Sequence, residues 1–393
     1  MVKISSSLQS VDSREQANRI INNLQILSTT YPEIFNRCYN LLEQGENAIF
    51  YAINGSDANE KKAGIFLIAC LVELNNADEN NQMTRFAKKL LKNLTSSDES
   101  TIRLASRAIA YLVQMSKTYA PLMEQALNQC CEQLEEKQRN ESRLLAAVIL
   151  ARDMALFASA QFFQRVPQFF NNIFKVIQDP KLNLRLAAIQ ALQAALAVAS
   201  QRETKFKNEW YRRCFDETCT RNRREENLHA ALLIINELLR IANASAEKLR
   251  LQALDVPTNA RAVSGLNPVE WLMMPSNISP VESRSARALV TEKFYFDEIV
   301  KRCMELRIAK SINCQLVLLE IFPRLCHFTE TFESVPFLDM LDHAITLSHK
   351  YQQYPQALLT IGLLAVTQPE KMQTKITQIF KIIVQIIEQC VSK

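Results

Sequence analysis

One helical template returns seven times along the chain, and this repetition restricts the possible fold more than any other feature of the sequence. In each copy an anchor residue is followed at +3, +4 and +7 by small or apolar residues, as Ala188 is by Ala191, Leu192 and Ala195. The first five anchors are 42, 42, 41 and 43 residues apart, the next step is 84, and the last is 42. The seven anchors are Ala63, Ala105, Ala147, Ala188, Ala231, Gln315 and Ala357.

This spacing is typical of HEAT and armadillo arrays, and the sequence favours HEAT-type helix pairs. Each interval leaves room for a partner helix, such as 167–177 before an anchor helix that we predict to begin at Pro180. Asp179 and Arg185 are six residues apart, as are the Asp and Arg that link neighbouring HEAT units, although Asp98 and Arg103 form only an incomplete copy. Armadillo units, with three helices and glycines at their turns, fit less well. We therefore predict an all-α fold, an α-solenoid of HEAT-like helix pairs with a period of about 42 residues.

Glycine is scarce, with five residues in 393, and this argues against several classes of enzyme. Tight hairpins and phosphate-binding loops need glycine because it tolerates positive φ and close backbone approach. The sequence contains no HExxH, CxxC, GxSxG, P-loop or kinase motif. Cys314, Cys326 and His327 are close in sequence, but they belong to an apolar helical pattern rather than to a metal site. We therefore expect no catalytic residue, no metal and no cofactor.

The segment 178–202 raises the question of a membrane span, because seven alanines fall within thirteen positions between 187 and 199. Only sixteen residues separate Arg185 from Arg202, and several are glutamines, whereas a span needs about 20 apolar residues. Apolar residues on two faces indicate a helix covered on two sides. The prediction is an interior helix and no membrane span.

Residues 254–281 interrupt the array, because they hold four of the twelve prolines. The predicted organisation is HEAT-like repeats over 1–253, an inserted loop over 254–281, and further repeats over 282–393 that open with one long helix from about 282 to 307. Within the loop, Trp271, Met273 and Met274 have two open interpretations. They either contact a partner protein, since Trp and Met are favoured at interfaces, or fold back to cover apolar surface of the solenoid.

Charge and cysteine usage point to a protein of the cytoplasm. The net charge is +5, and residues 202–224 hold eight Arg and Lys against four Asp and Glu. We interpret that stretch as a solvated helix end or loop, with contact to an acidic partner or to nucleic acid as the alternative. Its aromatic residues are not interleaved in the way that single-strand binding needs. The ten cysteines are scattered and no signal peptide precedes them, so we expect reduced thiols and a cytoplasmic location.

Several runs resemble the amino-terminal HEAT region of the target of rapamycin serine/threonine protein kinases, which belong to the PI3K-related kinases. They include SDANEKKAGIFLIACLVEL at 56–74, RNESRLLAAVILARDMA at 139–155 and FFQRVPQFFNNIFKVIQDPKLNLRLAAIQALQAAL at 162–196. The resemblance continues through WYRRCFDET at 210–218 and HAALLIINELLRI at 229–241 and lapses over the proline-rich loop. It includes loop residues such as QDPK, which generic helix periodicity does not require.

The resemblance implies a scaffold that packs against a raptor- or rictor-type subunit, and against other parts of a kinase of this family, in a complex that controls growth in response to nutrients. It carries over no catalytic residue, because the chain ends before the regions that correspond to the FAT segment, the rapamycin-binding bundle and the kinase domain. The apolar face of KITQIFKIIVQIIEQCVSK at the end of the chain leads us to expect part of a longer array. The alternative is an unrelated HEAT scaffold, such as a transport receptor or a phosphatase scaffold subunit.

Overall fold

The computed structural model describes residues 53–74, 80–94, 98–115, 120–135, 140–201, 207–219, 224–244, 284–328, 332, 335–350 and 355–391. These residues form α-helices, short 3-10 turns and connecting segments, and none of them is in a strand. The all-α solenoid fold predicted from the sequence is therefore confirmed for the described part of the chain.

Contacts divide the described residues into two compact units. The first unit comprises 53–177 and 181–198, and the second comprises 178–180, 199–244 and 284–391, each with the gaps given above. The predicted domain bounds at 253 and 281 lie among residues outside the described part, so they remain a prediction.

The first unit is a stack of helices in two rows. Its helices are α1 (Ala58–Leu74), α2 (Asn80–Asn93), α3 (Glu99–Met115), α4 (Ala120–Glu135), α5 (Glu141–Phe157), α6 (Val166–Ile177) and most of α7 (Leu182–Gln201). In one row α1 packs on α3 and α3 on α5, and in the other α2 packs on α4 and α4 on α6. Helices α2 and α4 also pack against α3 and α5, so each of these two anchor helices is paired with the helix that precedes it.

The second unit repeats this arrangement. It contains α8 (Lys207–Thr218), α9 (Glu225–Ala242), α10 (Arg284–Val290), α11 (Lys293–Leu306), α12 (Ile312–Cys326), α13 (Phe337–Lys350), α14 (Gln356–Thr367) and α15 (Ile376–Val391). Helix α9 packs directly on α12, and α12 on α14. Helices α9 and α12 are therefore neighbours in space although their anchors are 84 residues apart, and the described part of that step contains α10 and α11.

Helix starts are set by side chains that accept backbone N–H groups. The Thr101 N–H donates to Asp98 Oδ2 at 2.9 Å at the start of α3, and the Arg143 N–H donates to Asn140 Oδ1 at 3.1 Å at the start of α5. Helix α7 begins at Leu182, two residues later than predicted. Here the Leu184 N–H donates to Asn183 Oδ1 at 2.9 Å, a local contact that competes with an earlier start of the helix.

The single long helix predicted for 282–307 is wrong. The structure has two helices, α10 and α11, and Glu292 between them has an extended backbone with φ −72° and ψ 124°. The Thr291 hydroxyl donates to the Arg287 carbonyl at 2.8 Å, and its N–H donates to the same carbonyl at 2.8 Å, which closes the last turn of α10. A hydroxyl that bonds to the preceding turn favours a bend or an end at this position.

Helix α7 is 20 residues long and apolar enough to cross a membrane by length and composition, so its length does not exclude a membrane span. Of its most apolar window, 72% is buried inside the protein, as in a core helix. Helix α5 and the helical run Ser159–Ile177 are together also long and apolar enough to cross a membrane, but they are bent by 115° at their junction.

Candidate protein-binding surfaces

The repeat anchors lie on α1, α3, α5, α7, α9, α12 and α14. Six of them are between 0% and 6% exposed, namely Ala105, Ala147, Ala188, Ala231, Gln315 and Ala357, while the side chain of Ala63 is outside the described part. Small side chains at these positions allow neighbouring anchor helices to approach closely. The anchors are therefore packing residues, and they present no chemistry to a ligand.

Gln315 is the exception, because it is a polar anchor with three partners. Its amide nitrogen donates to the carbonyls of Arg307 at 3.0 Å and Ala309 at 2.6 Å, beyond the end of α11. Its amide oxygen is 2.7 Å from Nε2 of His343 on α13. Burial and the nearby Arg307 lower the pKa of His343 to about 4, so this imidazole is neutral at physiological pH. Gln315 thus joins α12 to α13 and to the segment that follows α11 through one buried amide.

The predicted ladder residues Asp179 and Arg185 are both buried, with 6% and 3% exposed. The incomplete copy that the sequence suggested at Asp98 and Arg103 has other partners. Asp98 caps α3, and Arg103 pairs with Glu99 one turn earlier at 2.7 Å.

A polar connection that sequence reasoning missed joins three anchor helices of the first unit. On α5, Nε and Nη2 of Arg152 donate to Oδ1 of Asp153 at 2.9 and 2.8 Å. The Ser106 hydroxyl of α3 donates to Asp153 Oδ2 at 2.7 Å, and Arg152 Nη1 donates to Gln190 Oε1 of α7 at 3.0 Å. Arg152 and Asp153 are 1% and 0% exposed. The available signal was an Arg-Asp pair inside an otherwise apolar helix, ILARDMALF.

The second unit has comparable cross-links between α9 and α12. The Asn236 amide donates to Glu320 Oε2 at 2.9 Å, and Arg324 donates to the Asn236 amide oxygen. At the other end of the same helices, the Ser311 hydroxyl donates to Glu225 Oε1 at 2.5 Å. These bonds fix the register of the two helices across the inserted segment.

A groove with a volume of about 420 Å³ opens between α2, α4 and α5. Its floor is formed by buried small and aliphatic residues: Leu91, Leu94, Cys130, Ala146, Ala147 and Leu150. Its rim is formed by longer polar residues: Lys88, Lys92, Gln129, Glu132, Gln133 and Arg143. Such an apolar floor with a polar rim is a feature of binding sites.

A second exposed surface lies on α14 and α15. On α15, Ile376, Phe380, Ile383 and Val384 are 52%, 62%, 42% and 47% exposed, and they follow one another at helical spacing. On α14, Val366 is 81% exposed. Contiguous exposed apolar residues of this kind mark interaction surfaces or sites of self-association.

The remaining predicted contact residues, Trp271, Met273 and Met274, lie outside the described residues, as does the rest of the inserted loop. The basic stretch is described only in part. Its helix α8 presents Arg212 to solvent and buries Trp210 and Tyr211 against its own unit.

The described side chains form no group of three His, Cys, Asp or Glu that could hold a metal ion. Cys303 and Cys326 are buried, and this burial raises the pKa of each thiol to about 12, with Arg302 and Lys371 respectively acting in the opposite sense. Thiols in such surroundings are poor nucleophiles. The features that stand out among the described residues are therefore the groove and the exposed apolar face of α15.

Comparison with known proteins identifies relatives that are named as target of rapamycin or TOR proteins. The chain is 31% identical over 365 residues to the Target of rapamycin homolog of Caenorhabditis elegans, a match that covers 84% of this chain and 13% of that protein. It is 27% identical over 394 residues to the serine/threonine-protein kinase mTor of Drosophila melanogaster, covering 86% and 16%. It is 30% identical over 203 residues to the serine/threonine-protein kinase TOR of Arabidopsis thaliana, covering 51% and 8%. No family model matches the chain.

Proposed function

This chain is homologous to one segment of the target of rapamycin kinases, and from that premise we propose that it is a protein-binding scaffold corresponding to their amino-terminal HEAT arm. Its partners in this proposal are a raptor- or rictor-type subunit and other parts of a kinase of this family. The complex so formed controls growth in response to nutrients, and we place it in the cytoplasm.

The observation that carries the proposal is the extent of the sequence match to target of rapamycin proteins. In two animal relatives the match covers 84–86% of this chain. The chain spans only about 13–16% of the length of those relatives. A match of this kind supports a shared structural segment, whereas the activity of the whole relative does not follow from it. Stacked helix pairs support the same role, because they present long surfaces that bind proteins through area rather than through chemistry.

We propose further that the chain does not itself transfer phosphate. Phosphoryl transfer requires a nucleotide site with bound Mg²⁺ and a residue that positions the nucleophile. The motifs that supply these parts are missing from the sequence, and a protein of stacked helices has a different architecture from a kinase domain. ATP hydrolysis or phosphorylation of a general kinase substrate by the purified chain, above the level of a heat-inactivated sample, would contradict this part of the proposal.

A direct binding measurement tests the scaffold proposal. The full chain is immobilised, and purified raptor-type and rictor-type subunits from the same organism are passed over it in separate channels. We expect saturable binding of at least one subunit, at micromolar or lower dissociation constant.

Two comparisons make this result specific. A phosphatase catalytic subunit and a nuclear-transport cargo protein represent the alternative HEAT scaffolds, and neither should bind. Binding of one of them, with no binding of either kinase subunit, would replace the proposal by that alternative.

A further inference from the structure

We propose that the groove between α2, α4 and α5 binds an acidic segment of a partner protein that inserts an apolar side chain between two or more carboxylates. This inference rests on the proposed scaffold function and adds the chemistry of the partner. It is carried by the composition of the groove floor, by the charge of its rim and by the positions of the helices that form it.

The floor is shaped for an apolar side chain. Ala146, Ala147 and Leu150 of α5 leave space because two of the three side chains are single methyl groups. Leu91 of α2 and Leu94, just beyond the end of α2, also line the groove. The one polar side-chain group on the floor, the Cys130 thiol, donates to the Ala147 carbonyl at 2.9 Å and so is already satisfied. A polar ligand group would find no partner there, whereas an aliphatic or aromatic side chain would lose only contact with water.

The rim carries a positive excess. Lys88 and Lys92 are four residues apart and therefore lie on one face of α2, while Arg143 comes from the first turn of α5. Glu132 is the only carboxylate among the residues that line the groove. Three cationic side chains against one anionic side chain make carboxylates the complementary charge in a ligand.

Two described carboxylates on the adjoining helix ends are engaged elsewhere. Glu141, at the start of α5, pairs with Lys181. Glu135, at the end of α4, accepts hydrogen bonds from Gln168 at 2.9 Å and Asn172 at 3.3 Å. Neither carboxylate lines the groove, and their partners hold them toward other residues. The positive excess at the rim is therefore not cancelled by these neighbours.

The same lining argues for a peptide over a nucleic acid. None of the residues that line the groove is aromatic, so no base could stack on its walls, and single-stranded nucleic acids depend on such stacking. Gln129 and Gln133 lie four residues apart on α4, and each offers both a donor and an acceptor. Amide side chains of this kind match the alternating N–H and C=O groups of a peptide backbone.

The test is a selection with random twelve-residue peptides displayed on phage, using the full chain as bait. A double variant, Lys88→Glu with Arg143→Glu, is used for counter-selection, since both residues are exposed and the changes leave the core intact. A matched control, Lys175→Glu with Arg212→Glu, alters net charge by the same amount at two exposed positions outside the groove. Thermal unfolding of the three proteins verifies that all are folded.

We expect the enriched peptides to carry Asp or Glu on both sides of a Leu, Phe or similar residue. Fluorescence anisotropy with one labelled peptide of this type should show affinity that is roughly tenfold weaker for the groove variant and within twofold of wild type for the control, because two attractive charge pairs become repulsive. Replacement of the central apolar residue of the peptide by Ser should weaken binding by a comparable factor.

Three results would overturn the inference: no enrichment over the counter-selected variant, enriched peptides without acidic residues, or equal affinity of the labelled peptide for the groove variant and wild type. The outcome is independent of the subunit-binding measurement. Binding of a raptor- or rictor-type subunit without peptide selectivity would support the scaffold proposal and contradict the proposed peptide site in the groove. Peptide selectivity without binding of either subunit would support the peptide site and contradict the scaffold proposal.

Discussion

The hydroxyl of Thr360 on α14 lies 2.8 Å from the main-chain carbonyl of Leu319 on α12 and 2.8 Å from the Gln356 carbonyl of its own helix, so the two carbonyls share its one hydrogen. Within α12 the Leu319 carbonyl would ordinarily accept the N–H of the residue four positions later, but this residue is Pro323, which has no N–H. Thr360 and Leu319 are 3% and 2% exposed, so water does not provide the missing donor. A proline within one anchor helix is thus compensated by a hydroxyl from the next.

Removing this hydroxyl should therefore lower the free energy of unfolding by more than the small change in side-chain volume would. Thr360→Val keeps the shape of the side chain and leaves the Leu319 carbonyl buried without its donor from α14, so we expect a loss of about 1–3 kcal/mol in the free energy of unfolding. In a Pro323→Ala background the N–H of residue 323 can donate to the same carbonyl, and the cost of Thr360→Val should become smaller. Urea unfolding of the four proteins gives the coupling energy, and additive changes would contradict this pairing.

A second prediction concerns the buried ion pair on α5. Asp153→Ala removes the partner of a guanidinium that is 1% exposed, and we expect a loss of about 3–5 kcal/mol in the free energy of unfolding. The double change Arg152→Leu with Asp153→Leu should recover part of this loss, because the buried charge of Arg152 is removed together with its partner, although Arg107 also loses the nearby Asp153 carboxylate. Glu99→Ala is the control: its pair with Arg103 is exposed, and the expected cost is below about 1 kcal/mol. Equal melting temperatures for Asp153→Ala and the control would contradict the prediction.

Periodicity along one helix predicts which of its residues are buried, but it does not predict the polar contacts between helices. Alanine and aliphatic spacing was sufficient to place the anchors on helices, because burial of one face follows from positions along a single helix. The Arg152–Asp153 connection could not be assigned in this way, because its partners Ser106 and Gln190 come from helices 47 and 38 residues away. The break at Thr291 was missed because a side-chain bond to the preceding turn overrides a continuous helical pattern.

The groove was equally invisible in the sequence. Ala146 and Ala147 belong to a pattern that indicates close helix packing, yet in the structure both also line the groove. Whether a small residue is covered by a neighbouring helix or opens a cavity depends on the relative positions of three helices. Lys88 and Arg143 meet at one rim for the same reason, because they come from α2 and α5 and no pattern within a single helix brings them together.

The neutral imidazole of His343 leads to a prediction about pH. Its pKa in the folded state is about 4, lowered by burial and by Arg307, whereas an unfolded chain has a histidine pKa near 6.5. Between these values the unfolded state binds more protons, so the stabilisation is complete above about pH 6.5 and is lost as the pH falls toward 4. We expect the urea midpoint to decrease steadily over this window.

His343→Gln should reduce that pH dependence, since an amide still reaches Gln315 and has no proton to gain. His349→Gln, at an exposed position of the same helix, is the matched control and should retain the decrease. Measurements are best kept above pH 4.5. Hydrogen bonds from Thr101 and Ser100, together with Lys62, outweigh the effect of burial and lower the pKa of Asp98 to about 2, so its contribution is lost only below about pH 4. A decrease of equal size in the His343→Gln protein would contradict this assignment.

The exposed apolar residues of α14 and α15 lead to a final prediction, which concerns self-association. Four residues of α15, Ile376, Phe380, Ile383 and Val384, are between 42% and 62% exposed and form one continuous stripe. Burying such a stripe against a second copy removes apolar area from water. The free-energy gain is about 25 cal/mol per Å², and it drives association as concentration rises.

Phe380→Ser with Val384→Ser should lower the weight-average mass in sedimentation equilibrium toward that of a monomer. Lys381→Ser, an exposed polar change on the same helix, should leave the mass of the wild type unchanged. Wild-type protein that is monomeric at 100 µM, as in ~4.5 mg/ml of a 44.9 kDa chain, would show that this surface does not drive association.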